Sequence, residues 1–258
     1  MLPKALLALA IVAVAMTVVS ASASAQPRDA RLESLPRDLA TAETLATRPN
    51  GTFFENALLR PDGSLLITSY FDREVLIYDA AGGLRRFAAV DGHPVSLAPA
   101  SDGGYVLVVH GVSMRDPAGL ADRQEIFRLS AAGEARKVLT VAGARFLNGI
   151  AALGQDRYVV ADSLAGVLWS YDASANRAGE WLRHEALDST APQQMRPGAN
   201  GVQVAGSTLV VSNSTKRHLV TVELQAGAKP GTVSLRAVDL PIEDRKSTRL
   251  NSSHVSES

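Results

Sequence analysis

The middle of the chain reads Asn148-Gly-Ile-Ala-Ala152, then Arg157-Tyr-Val-Val-Ala-Asp162, Val167-Leu-Trp-Ser-Tyr-Asp172 and Gly179-Glu-Trp-Leu-Arg183. Each run is short, rich in β-branched and aromatic residues, and bounded by Gly, Asp or Asn, which form turns. Four consecutive runs of this kind predict four antiparallel strands in one small sheet.

The same plan recurs on both sides of this stretch, over residues 55–90, 94–141 and 200–238. No segment has a sustained helical period, so the chain is predicted to be all-β. Four strands per repeat at this spacing is typical of a β-propeller with four-stranded blades, of which about four are present. We expect the second strand to be the most buried and the third, which alternates apolar and polar residues, to lie nearer the rim. A β-sandwich is the alternative, since it also has many short strands.

Two long connections interrupt the repeat, Gly111–Asp122 and Arg183–Gly198. Long loops in compact domains often act as lids or line the mouth of a site. A surface loop without a function is the other interpretation.

The N-terminus has the features of an export signal. Lys4 precedes the apolar stretch Ala5–Val19, and the small residues of Ser20–Ala25 follow. This pattern predicts a signal peptide over residues 1–25 and a lead-in over residues 26–50, and so a periplasmic or secreted protein. The apolar stretch is short for a membrane anchor, which is the alternative. We expect no membrane association after cleavage.

The net charge and the cysteine content limit the possible partners and cross-links of the protein. The formal net charge is zero, so no nucleic-acid partner is expected, and with no cysteine the fold has no disulfides. Residues 244–258 resemble the translation of a sequencing-library adapter and are predicted to be a non-native tail. The predicted propeller therefore covers residues 51–243 and is expected to be truncated at its C-terminus.

Three polar residues fall at equivalent positions where the first strand of a repeat begins: Glu55, Asn148 and Asn200. The starts of the innermost strands converge on one end of a propeller's central channel. One carboxylate and two carboxamides suit a divalent cation with oxygen ligands, most of all Ca²⁺, and suit Zn²⁺ poorly. Asn148 and Asn200 each precede glycine, and an Asn-Gly pair can also simply form a tight turn.

Three further residues are candidates for the substrate side of this site or for supporting its ligands: Asp162, His93 and His110. Asp162 ends an apolar strand, and the alternative for it is a turn aspartate with its hydrogen bonds satisfied. A lone histidine is often structural, which is the alternative for His93 and His110. No catalytic residue is identified.

Several of these motifs resemble those of the senescence marker protein/gluconolactonase/luciferin-regenerating-enzyme-like family, although strictosidine-synthase-like propellers share them. They are Asn148-Gly-Ile-Ala, Tyr158–Leu164, Val167–Asp172 and Glu55-Asn-Ala-Leu with Pro61-Asp-Gly63. The resemblance implies a six-bladed propeller with one divalent cation in its channel and hydrolysis of lactones or related esters. It implies that Glu55 is the carboxylate ligand, and that Asn148 and Asn200 are a substrate-side and a metal-side asparagine.

The chain departs from that family at two places. The further aspartate ligand would fall at or beyond the start of the tail, and Asn56-Ala57 stands where the family's lactonases tend to have Gly-Pro. We therefore expect a metal-binding lactone or ester hydrolase that is inactive as truncated and that would be a monomer if complete. The alternative is a non-catalytic periplasmic propeller that binds a protein or cell-wall partner.

Overall fold

The computed structural model describes residues 44–49, 51–79, 81–116 and 118–237. The chain divides into two compact units, Met1–Leu45 and Ala46–Ser258, and every element described below belongs to the second. The predicted signal peptide, most of the lead-in and the predicted non-native tail lie outside the described residues.

The described chain forms four separate antiparallel sheets, each of four consecutive strands, which are the blades of a β-propeller. Blade 1 consists of β1 (Phe54–Leu59), β2 (Leu65–Ser69), β3 (Glu74–Asp79) and β4 (Gly83–Ala89), and blade 2 of β5 (His93–Pro99), β6 (Tyr105–His110), β7 (Gln124–Leu129) and β8 (Ala135–Thr140). Blade 3 consists of β9 (Leu147–Gly154), β10 (Arg157–Asp162), β11 (Val167–Asp172) and β12 (Arg177–Arg183), and blade 4 of β13 (Ala199–Ala205), β14 (Thr208–Asn213), β15 (His218–Gln225) and β16 (Lys229–Ala237). The predicted fold class is confirmed, and four separate sheets are not the two packed sheets of a sandwich.

The first strands of successive blades pack against one another, β1 on β5, β5 on β9 and β9 on β13. The first strand of each blade is therefore the innermost, and the fourth lies at the rim. Because the strands are antiparallel, the start of each first strand and the end of each second strand lie at the same end of the blade. We call this end the site end.

An apolar core lies between each pair of neighbouring blades. Blades 2 and 3 are therefore covered on both faces by their neighbours. The blade 1–blade 2 core includes Leu66, Val75, Leu97, Leu107 and Phe127. The blade 2–blade 3 core includes Val106, Ile126, Ile150, Tyr158 and Val160, and the blade 3–blade 4 core includes Val159, Leu168, Leu209, Val211 and Val220.

The third strand is more buried than the sequence predicts. Val75, Leu76 and Ile77 of β3 are all buried, as is almost all of β7. The third strand lies nearer the rim than the second, as predicted, but it is buried, because the fourth strand takes the exposed position.

Both long connections join strands at the site end. The first contains a short 3-10 helix, Ala121–Arg123, and the second contains two, Glu185–Leu187 and Pro192–Gln194. The first connection is tied to blade 3, since Gln124 Nε2 donates to Leu120 O (2.7 Å) and Gln124 Oε1 accepts from Leu147 N (2.6 Å). Over the described residues, no helix has the length and apolarity needed to span a membrane.

Candidate metal centre

The strand register places Glu55, Asn148 and Asn200 at the same position of their blades. Phe54, Leu147 and Ala199 begin β1, β9 and β13, and each pairs with the last residue of the second strand. Glu55, Asn148 and Asn200 are the next residues. In blade 2, where His93 pairs with His110, this position is occupied by Pro94.

A β-bulge lies at or beside this position in all four blades. The pairing between first and second strands shifts between Phe54 and Asn56, and again between Pro94 and Ser96. In blades 3 and 4 the residues inside the shift are Asn148-Gly149 and Asn200-Gly201. Bulges change the direction of a side chain and recur next to functional sites. The motif Asn-Gly thus builds a bulge here rather than a hairpin turn.

Asn148 and Asn200 are buried at the site end and are held in the same way. Asn148 Nδ2 donates to Ser163 Oγ (3.2 Å), and Asn200 Nδ2 donates to Ser214 Oγ (3.0 Å). Ser163 and Ser214 each directly follow the second strand of their blade. Neither serine was among the predicted site residues, although the parallel pairs Asp162-Ser163 and Asn213-Ser214 at the ends of apolar strands were a signal for them.

Strands β9 and β13 approach closely at this point. A Cβ atom on Gly149 would lie 2.4 Å from Asn200 O and 2.8 Å from Val202 N, so only glycine fits. Ser96 Oγ of blade 2 donates to Asn148 O, and Ser163 Oγ donates to Ala199 O (2.6 Å). The two asparagines therefore lie on adjacent strands, and the backbone carbonyl groups of these strands are held by hydrogen bonds from Ser96 and Ser163.

Glu55 is half-buried on β1, at the same end but two blades from Asn148. The structure thus brings Asn148 and Asn200 together on adjacent strands and places Glu55 on a strand separated from them by β5.

The donors at these positions fit a hard cation. The buried Asn148 Oδ1 has no hydrogen-bond partner among the described residues, while the amide nitrogen of the same side chain is occupied. A buried carbonyl oxygen without a donor is costly unless a ligand satisfies it. Carboxamide and carboxylate oxygens are Ca²⁺ ligands. In the described part of the chain, no three His, Cys, Asp or Glu side chains are grouped so that they could hold a metal ion, so the proposed ligand set depends on asparagine oxygens.

Asp162 is completely buried and holds the connection before β9. Its carboxylate accepts hydrogen bonds from the backbone N–H groups of Arg145, Phe146, Leu164 and Ala165, at 2.7–3.2 Å, and from Trp169 Nε1 at 3.2 Å. With these five donors in place, the carboxylate fixes the loop that leads to Asn148.

His110 links blade 1, blade 2 and blade 3 from a completely buried position. His110 Nε2 lies 2.8 Å from Leu147 O, so it carries the proton, and Nδ1 accepts from Tyr70 Oη at 3.0 Å. Tyr70 Oη in turn accepts from Met114 N at 2.9 Å. Burial lowers the pKa of His110 to about 4, which keeps the ring neutral.

His93 is half-buried and stacks on Tyr70, with ring centroids 4.8 Å apart. Its Nδ1 lies 3.0 Å from Tyr70 O and donates to it, which leaves Nε2 as the acceptor. Burial lowers the pKa of His93, and the positive charge of Arg73 acts in the same direction, against the hydrogen bond to Tyr70 O. His93 and His110 therefore lie side by side at the site end.

No family sequence model matches the chain, and no curated protein matches it by sequence. Solved structures do match. Virginiamycin B lyase from Staphylococcus aureus, in its selenomethionine form, is 13% identical with a TM-score of 0.50, and the match covers 72% of this chain and 55% of the lyase.

Two further structures give the same result. A catalytically inactive variant of the Staphylococcus aureus lyase with quinupristin is 12% identical, with a TM-score of 0.52 and coverage of 78% and 59%. A streptogramin B lyase is 12% identical, with a TM-score of 0.51 and coverage of 72% and 54%. The chain has a β-propeller fold. At these identities the likeness extends to the fold alone, and the chain spans little more than half the length of each lyase.

Proposed function

We propose that the protein is an exported propeller that binds a divalent cation, most favourably Ca²⁺, and hydrolyses a lactone or a related ester. The observation that carries the proposal is the pair Asn148 and Asn200, held identically on adjacent innermost strands, with Asn148 Oδ1 buried and without a donor in the described structure. The signal-like N-terminus and the absence of cysteine support export to the periplasm or beyond.

Glu55, Asn148 and Asn200 would hold the cation through oxygen atoms. A bound cation in such a site polarises the carbonyl of an ester and stabilises the negative charge that develops on its oxygen. The role of this chain's own residues is to orient those oxygens. Ser163 and Ser214 each occupy one amide nitrogen, which directs the carbonyl oxygen away from the serine.

The second candidate is a non-catalytic propeller that binds a protein or cell-wall partner. This candidate is favoured because the side chains at the site end that could act as a general base already have hydrogen-bond partners. The carboxylate of Asp162 accepts five hydrogen bonds and both ring nitrogens of His110 are engaged, so neither is available to direct a water molecule.

Calcium-dependent thermal unfolding of the full chain tests the cation site. Ligand at about 100 times its Kd stabilises a protein by about 2.7 kcal/mol, so we expect the melting temperature to rise by about 5–10 °C over a chelator-treated sample. Glu55→Gln and Asn148→Leu should each abolish this increment, whatever their effect on the starting stability. Glu180→Gln, an exposed carboxylate on β12, is the matched control and should keep it.

A wild-type melting temperature that calcium leaves unchanged would refute the cation site. Hydrolysis of simple lactones and aryl esters, measured with and without calcium, then separates the two candidates. Calcium-dependent hydrolysis that Glu55→Gln removes supports the enzyme, and calcium binding without hydrolysis supports the non-catalytic propeller.

A further inference from the structure

Phenylalanine is concentrated at the site end of blades 1–3. Of the six phenylalanines in the chain, Phe53 and Phe54 lie where β1 begins, Phe71 follows β2 and Phe146 precedes β9. Only Phe87 and Phe127 lie elsewhere. Phe53, Phe71 and Phe146 are half-buried, so each presents part of its ring to solvent. Aromatic residues make up 5% of the chain, and four of its six phenylalanines lie at this end of the blades.

The rings are continuous from blade 1 to the candidate metal centre. The Phe53 and Phe71 centroids are 5.9 Å apart, and Phe71 meets Tyr70 edge-on at 5.0 Å. Tyr70 meets His110 at 5.6 Å, and His110 meets Phe146 at 4.5 Å. Phe146 is two residues from Asn148, so this aromatic row ends beside the proposed cation ligand. We call it the aromatic row.

A positive charge lies over the outer end of the row. The Arg115 guanidinium carbon is 3.7 Å from the Phe71 ring centroid, a cation–π contact supplied by the Gly111–Asp122 connection. Arg115 is exposed and has no ion pair with any carboxylate in the described part of the chain. An exposed guanidinium held on an aromatic face is a receptor for a planar carboxylate.

We propose that Phe53, Phe71 and Arg115 form a subsite for a ligand that carries an aromatic ring and a free carboxylate, the carboxylate being separate from the ester group that is cleaved. The ring of the ligand packs against Phe53 and Phe71, and its carboxylate pairs with Arg115, at the opposite end of the aromatic row from Asn148. This inference rests on the proposed function and deepens it by naming the class of substrate. A polyhydroxylated sugar acid suits the subsite less well, because it has no ring to pack against Phe53 and Phe71.

Binding of phenylacetate, measured by ligand-detected NMR titration of the full chain in the presence of a chelator, tests the subsite without requiring catalysis or a cation. Arg115→Gln should weaken phenylacetate binding about tenfold, as expected for the loss of a hydrogen bond to a charged group. Phe71→Leu should weaken it about fivefold, as expected for the loss of an aromatic pair.

The matched controls are Arg86→Gln and Phe87→Leu on β4, an exposed arginine and a half-buried phenylalanine away from the site end. Both should change the affinity less than twofold. Benzyl alcohol, which has the ring without the carboxylate, should bind more weakly and be insensitive to Arg115→Gln. Gluconate, which has a carboxylate without a ring, should also bind more weakly than phenylacetate.

Gluconate binding as tight as phenylacetate, or equal losses in the β4 controls, would overturn the subsite. Glu55→Gln should keep the phenylacetate affinity while it removes the calcium effect. Failure of the cation site and failure of the aromatic subsite therefore give different results.

Discussion

A buried neutral histidine couples stability to pH at the scale of a single residue. His110 has a pKa of about 4 in the folded protein, whereas the pKa of a histidine in the unfolded chain is 6.5. Between these two values the unfolded chain takes up a proton that the folded chain does not. The contribution of His110 to stability is therefore complete above pH 6.5 and is lost as the pH falls towards 4.

We expect His110 to account for about 2 kcal/mol of the stability lost between pH 7 and pH 5, since one pKa unit corresponds to about 1.4 kcal/mol. His110→Phe should lower stability at pH 7, because Tyr70 and Leu147 O lose their partner, but should flatten the pH dependence by this amount. Urea unfolding at the two pH values measures both. Tyr70→Phe keeps the buried imidazole and should keep the loss of stability between pH 7 and pH 5. If His110→Phe lost as much stability between these pH values as the wild type, His110 would not be the group responsible.

His110 and Asp162 could be found from the sequence, but their contacts could not be assigned from it. Both end an apolar strand, which marks them as unusual polar residues. The partners of His110 come from other blades, Tyr70 from blade 1 and Leu147 from blade 3. The donors to Asp162 lie in its own blade and in the loop before it, but they are backbone N–H groups and the Trp169 indole, which a residue pattern does not mark as donors. Whether such a residue faces a substrate or a set of backbone groups depends on blade packing, which no local pattern encodes.

At the scale of the strand, the close approach of β9 and β13 is the most constrained feature. Gly149→Ala should destabilise the protein by about 1–3 kcal/mol, because the new Cβ atom overlaps Asn200 O and the strands must separate. Gly179→Ala on β12 is the matched control, since nothing lies within 4 Å of its Cβ position, and it should be neutral or slightly stabilising.

Denaturant unfolding compares the two glycine variants, and calcium titration of Gly149→Ala shows whether the asparagine pair is displaced. Equal stability of the two variants would mean that β9 and β13 are not held together as described.

At the scale of the whole molecule, stability comes from the cores between blades. Leu168→Ala should cost about 2–5 kcal/mol, because it opens a cavity between blades 3 and 4. Leu235→Ala on β16 is the matched control; its side chain is 53% exposed, and the change should cost less than about 0.5 kcal/mol. Denaturant midpoints measure both, and similar losses in the two variants would contradict the core assignment.

The number of blades and most strand positions could be predicted, because each strand is a short apolar run between turn residues, as in Tyr105–His110 and Val167–Asp172. The burial of β3 was missed, although its apolar run Val75–Tyr78, between Glu74 and Asp79, is the pattern of a strand buried on both faces. The bulges could not be predicted. They appear only when the pairing partners of the first strands are known.

The repeated bulge has a consequence for how such a protein changes in evolution. Glu55, Pro94, Asn148 and Asn200 occupy one structural position yet differ in charge, size and hydrogen-bonding capacity. The backbone of the first strand makes the bulge, so strand pairing does not depend on which side chain the position carries. A blade can therefore carry a different side chain at this position without loss of strand pairing, so a single substitution here can change ligand preference while the fold is kept.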